Sequence, residues 1–190
     1  MPEILIVSSS LDNNSRSERV AQLCAQVLSA RGIDAPFLSL KDYVLPPFGS
    51  VPMQEIPEYY LLHAAVLRAD GLILASPVYN WSSCAELKKF IEYVGSTDES
   101  TRGAFYDKVV TFVHSAGLPH SYMAAAPLAA SLMFDFKCVI NPYAVYVHDR
   151  HWEHDELIPD ARQRVEQAMR VMAEMTELLS ARTYRSDWGV

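Results

Sequence analysis

Apolar and polar positions change period repeatedly along the chain. Residues 3–8, EILIVS, form a short apolar run bounded by polar residues, as a buried strand does. From Ser17 the spacing becomes helical. Val20, Leu23, Cys24, Val27 and Leu28 fall on one face, and Gly32 follows as a helix stop. Residues 35–40 read as a second strand. The segment from Tyr43 to Pro57 carries four prolines and reads as a stiff loop. A helix is expected over 58–69 and a strand over 71–76. Leu87, Phe90, Ile91 and Val94 mark another helix, and KVVTFVHS (108–115) a fourth strand. An Ala-rich helix is expected over 121–134. A fifth strand is expected over 138–147, bent at Pro142, and a long helix over 160–182.

Strands and helices therefore alternate five times. The first, third and fourth strands are almost continuously apolar, as in a parallel sheet covered on both faces. Right-handed crossovers then give an α/β three-layer sandwich with a five-stranded parallel sheet. The common order is 2-1-3-4-5, and ligands bind beyond the carboxyl ends of the strands where that order reverses. Three loops are placed there: SSSLDNNSRS, SPVYNWSS and SAGLPHS.

The chain of 190 residues suits one domain spanning 1–190. Its formal charge of -7 disfavours nucleic acid, which needs basic surface. No apolar run approaches a membrane span, and the first residues lack a basic leader, so a cytoplasmic location without membrane partners is expected. Cys24, Cys84 and Cys138 form no CxxC pair. Cys24 and Cys138 read as buried thiols. Cys84 reads as a small residue in a tight loop, or as a thiol activated at a helix start.

The first loop is dense in hydroxyls. Ser15 and Glu18 have capping-box spacing, which explains one hydroxyl. Ser8, Ser9, Ser10, Ser17 and Arg16 exceed what a cap needs, and a helix N-terminus favours an anion. Capping and phosphate binding both fit. In the second loop Tyr79 and Trp81 offer flat apolar surface and Asn80 offers polar groups, a mixture suited to a planar heterocycle or to a packed turn. In the third loop Gly117 permits close backbone approach.

From residue 3 to about 180, these motifs and their order resemble the NADPH-dependent FMN reductase family of the flavodoxin-like fold. SSLDNNSRS (9–17) is similar to the family's phosphate loop, and the resemblance implies that Ser10, Ser15, Arg16 and Ser17 bind the FMN phosphate. Ser9 stands where Gly is usual and Asp12 where Arg is usual. SPVYN (76–80) matches the family's Thr/Ser-Pro-x-Tyr-Asn segment, which implies that Pro77, Val78, Tyr79 and Asn80 line the isoalloxazine. SAG (115–117) resembles the turn beside the flavin pyrimidine, which brings in Ser115, Ala116 and Gly117.

The activity so implied is transfer of electrons from NADPH or NADH to FMN and on to a small acceptor. Quinones, free flavins, azo compounds and metal oxyanions are all compatible. The flavin carries the chemistry, so no side-chain acid, base or nucleophile is assigned. A flavodoxin-like electron carrier is the alternative, but residues 8–17 do not match the flavodoxin phosphate loop. The resemblance also implies a homodimer or homotetramer. Trp81, Phe105, Tyr106 and Trp152 are expected in loops near the sheet's carboxyl edge, where a partner would cover them. His148, His151 and His154 have poor helical spacing for a metal and read as a solvated loop.

Overall fold

The computed structural model describes residues 2–96 and 103–186. The strands are β1 (Ile4–Ser8), β2 (Phe37–Ser39), β3 (Gly71–Tyr79), β4 (Ser82–Ser83), β5 (Val109–Ala116), β6 (Val139–Ile140), β7 (Val145–His148), β8 (Trp152–Glu153) and β9 (Glu156–Leu157). The helices are α1 (Arg16–Ser29), α2 (Pro57–Arg68), α3 (Ala85–Gly95), α4 (Ala126–Phe136) and α5 (Pro159–Ser180).

The parallel sheet runs β2-β1-β3-β5, and β6 and β7 both pair with β5 beyond it. With β6 and β7 counted as one interrupted strand, this is the expected 2-1-3-4-5 flavodoxin-like order.

Side-chain alternation divides the core into two layers. Leu5, Val7, Leu72, Leu74, Val110 and Phe112 face α2, α3 and α4. Ile4, Ile6, Ile73, Ala75, Val109 and Val113 face α1 and α5. Burial on both faces is why these strands read as unbroken apolar runs. At the start of β3 the packing leaves no room for a side chain. A Cβ on Gly71 would lie 2.5 Å from Met172 Cε and 2.8 Å from Thr176 Oγ1 of α5.

Three elements differ from expectation. The fifth strand is broken rather than bent. Asn141 satisfies the gap: its N–H donates to Val110 O at 2.8 Å, and its Nδ2 donates to Thr111 Oγ1 at 2.9 Å and to Ala168 O at 3.1 Å. The helix expected over 121–134 begins at Ala126, because Pro127 is tolerated only in a first turn. Residues 119–121 instead form a short 3₁₀ turn. Finally, Phe105 and Tyr106 are not at the carboxyl edge. They precede β5 at the opposite end of the sheet and are buried against Phe90 and Phe136. They are core residues.

Candidate functional site at the sheet switch point

β1 and β3 lie side by side, yet the chain leaves β1 toward β2 and β3 toward β5. The loops after β1, β3 and β5 therefore emerge together at the carboxyl edge, and hydrogen bonds tie them to one another. Ser9 Oγ donates to Ala75 O at 2.9 Å, joining the first loop to β3. The presence of Ser9 in place of Gly thus adds a cross-strand bond.

Cys84 caps the start of α3 without a side-chain cap bond. Its N–H donates to Ser76 Oγ at 3.0 Å, and its Sγ lies 3.2 Å from Ser9 Oγ. The buried thiol is thus a knot between the first and second loops, in keeping with a small residue in a tight turn. Burial pushes the Cys24 and Cys138 thiols up to about 12, which makes both inert.

The first loop delivers what its sequence promised in part. Ser15 is the N-cap of α1, and its Oγ accepts from the Glu18 N–H at 3.2 Å. The reciprocal half of the capping box does not form. Glu18 Oε1 instead accepts from Lys41 Nζ at 2.9 Å, while its Oε2 accepts from the Ser8 and Ser39 hydroxyls, each at 3.2 Å. That hydrogen bond raises the Lys41 pKa. Ser15 and Ser17 share a hydrogen bond at 2.9 Å, and Ser10, Ser15 and Ser17 are all buried.

The first turn of α1 leaves the Arg16 and Ser17 N–H groups without intrahelical acceptors. Buried hydroxyls beside free helix N–H groups fit a phosphate. The Asp12 carboxylate is engaged locally, accepting from the Asn14 N–H at 2.9 Å.

The second loop is a β-hairpin. Val78 pairs with Ser83 and Tyr79 with Ser82. The two turn residues, Asn80 and Trp81, have φ of 49° and 66°, as in the mirror-image turns that suit hairpins. Asn adopts this region readily; Trp does so at a cost. The turn holds Tyr79 58% exposed and Trp81 68% exposed, while Pro77 and Val78 are half-buried beneath them.

The hairpin is anchored from below by His114 of β5, whose Nε2 lies 2.8 Å from Ser83 Oγ. Burial pushes the His114 pKa down to about 4, so the ring is neutral at physiological pH. Ser115 and Ala116 continue β5 next to Pro77, and the exposed Gly117 follows.

All eleven residues implied by the family resemblance lie in the three loops at the carboxyl edge or at the strand and helix ends that flank them. Sequence reasoning missed two that brace this edge, His114 and Asp149, and did not foresee that Trp152 stacks on Arg16. His114 left a trace, as a basic side chain near the carboxyl end of an apolar strand. Asp149 left none. It pairs with Arg16, whose guanidinium also lies 5.6 Å from the centre of the Trp152 ring.

The three-His segment is a 3₁₀ turn (Asp149–His151) followed by the β8–β9 hairpin. The His148 and His151 rings are 3.8 Å apart, and burial pushes both pKa values down. His154 occupies the hairpin turn with φ of 47°. Among the described residues no three His, Cys, Asp or Glu side chains gather to hold a metal.

Solved structures with this fold include an NADH:FMN oxidoreductase, EMOB, in its apo form (18% identity, 96% of this chain and 92% of that one, TM-score 0.76). RosB with a bound formylriboflavin phosphate intermediate aligns at 13% identity over 97% of this chain and 82% of that one (TM-score 0.80). FerB, an NAD(P)H:acceptor flavoenzyme from Paracoccus denitrificans, aligns at 16% identity over 94% and 98% (TM-score 0.77). At such identities these likenesses carry the fold. No curated protein sequence matches the chain. The family pattern is decisive where they are not: it matches residues 2–153, through all three loops, and the chain belongs to the NADPH-dependent FMN reductase family.

Proposed function

We propose that the shelf formed by the three loops holds FMN, its phosphate on Ser10, Ser15, Arg16 and Ser17. Pro77, Val78, Tyr79 and Asn80 would hold the isoalloxazine, and Ser115, Ala116 and Gly117 its pyrimidine edge. The observation that supports this most is the anchored hairpin beside a buried cluster of hydroxyls at a helix N-terminus. Family membership makes the chain an NAD(P)H-dependent FMN oxidoreductase that acts on a small acceptor. When bound, FMN would supply the hydride-accepting and electron-passing chemistry between nicotinamide and acceptor. The side chains position and desolvate it. Ser15 and Ser17 receive the phosphate, the half-buried Pro77 and Val78 exclude water from one ring face, and neutral His114 holds the hairpin in register.

The reading extends to quinones, free flavins, azo compounds or metal oxyanions as acceptors. It also includes a single 1–190 domain, a cytoplasmic location, and a homodimer or homotetramer in which Trp81 meets the partner. The direct test is flavin fluorescence quenching followed by NADPH and NADH oxidation with an added quinone. Saturable FMN binding and steady turnover are expected. Binding without turnover would favour the carrier alternative.

The hairpin gives a sharper test. Trp81→Gly places the preferred residue at a positive φ and is expected to raise flavin-free stability by up to about 1 kcal/mol. The same change removes aromatic surface and should weaken FMN. Melting curves and titrations on one preparation read both. A variant that binds FMN as well as the parent would leave Trp81 as a turn or partner residue with no part in flavin binding.

A further inference from the structure

Both arginines at the start of α1 are held by carboxylates from one short segment. Arg16 pairs with Asp149 and stacks on Trp152. Arg19 pairs with Asp155 at 2.8 Å and donates to Asn14 Oδ1 at 2.6 Å. Asp149 follows β7, next to β5, and its Oδ2 would lie 3.9 Å from a Cβ built on Gly117. It therefore reaches into the space between the first and third loops. Arg16 is the only Lys or Arg in the first 18 residues, and Asp12 adds a negative charge to the same loop. The loop that would receive a phosphate already contains an anion on its one cation.

We propose that Asp149 is a specificity-determining residue: it occupies Arg16 as an internal counter-ion, so that the phosphate of FMN must displace it and the preference for FMN over riboflavin is smaller than a free Arg16 would give. This rests on the reading that residues 9–17 take the FMN phosphate. The exchange is feasible because the pair is solvated, with side-chain exposures of 41% for Arg16 and 60% for Asp149. Such a pair holds weakly, and its carboxylate can turn to water at little cost. Trp152 stays beneath the guanidinium and keeps its fork oriented for a bidentate partner.

A phosphate brings more charge and more acceptor oxygens than a carboxylate, so FMN still gains. The gain is the difference between two ion pairs rather than the whole of one.

The test is a set of flavin titrations by fluorescence quenching, with FMN and riboflavin, at one ionic strength. Asp149→Asn is expected to tighten FMN about fivefold, the scale of one exposed ion pair, and to leave riboflavin unchanged. In an Arg16→Ala background the same substitution should give no gain. Asp155→Asn removes the same charge from the same segment and should change neither flavin. Flavin-free melting curves check that every variant is folded.

The proposal is overturned if Asp149→Asn fails to tighten FMN, tightens riboflavin equally, or is matched by Asp155→Asn. No saturable FMN binding to the wild-type protein would remove the flavin reading and this proposal together. A normal wild-type titration with a silent Asp149→Asn would remove the proposal alone.

Discussion

Acid is expected to remove about 3 kcal/mol of stability through His114 alone as pH falls from 6.5 to 4. Its side chain is 2% exposed, and burial lowers its pKa from 6.5 to about 4. Between those values the unfolded chain binds a proton that the native state does not. Stability contributed by the neutral ring is therefore complete above pH 6.5 and is lost progressively toward pH 4. Urea titrations at several pH values would measure the slope. His114→Gln keeps a hydrogen-bonding group near Ser83 but cannot titrate, so its slope should be distinctly shallower. His148 and His151 are also shifted down, but they remain in both proteins and cancel in the comparison. Equal slopes would mean that His114 finds a proton acceptor or opens to water. Because His114 braces the hairpin through Ser83, FMN affinity is expected to fall over the same range.

The parallel sheet was legible because burial on both faces leaves a mark that needs no tertiary information. The runs at 3–8, 71–76 and 108–115 are apolar at every step, and each became a strand within two residues at its start. Errors arose where a single residue overrides a pattern. Pro127 moved the start of α4 five residues along, and the Pro142 region interrupted a strand that periodicity joined. Phe105 and Tyr106 were misplaced because aromatic content does not say which end of a sheet a loop serves.

At the site, local chemistry was legible and long-range chemistry was not. The Ser15 cap and the Tyr79–Asn80 segment are short-range signals. Glu18 abandoned the capping box for Ser39 and Lys41, partners supplied by the end of β2 and the turn after it. Asp149 lies 133 positions from Arg16, and nothing in either neighbourhood announces the pair. The two-residue strand Ser82–Ser83 carries no periodicity, and Trp81 hides a turn that Gly would have signalled.

Arg16→Ala is expected to weaken FMN about tenfold and to leave riboflavin within about twofold. A charge-assisted bond to phosphate is worth about 1.5–3 kcal/mol. Part of that is offset here, because the flavin-free protein already uses Arg16 in an exposed pair with Asp149, worth up to about 1 kcal/mol. The remainder, about 0.5–2 kcal/mol, centres on about one decade in Kd.

The same substitution should flatten the salt dependence of FMN binding, since it removes the only basic side chain in the first 18 residues. Flavin-free stability should fall by less than about 1 kcal/mol, because the lost pair is solvated. Ser15→Ala is the contrasting variant. It removes the hydroxyl that caps α1 and is expected to lower flavin-free stability by about 1 kcal/mol whatever its effect on FMN. Arg16→Lys should fall between wild type and Arg16→Ala, since it keeps the charge but loses the planar fork and its stacking on Trp152. Isothermal titration of both flavins against these three variants separates the roles. If Arg16→Ala weakens riboflavin as much as FMN, or lowers the melting point as Ser15→Ala does, then Arg16 fastens α1 to the Asp149 segment, and the phosphate rests on hydroxyls and helix N–H groups alone.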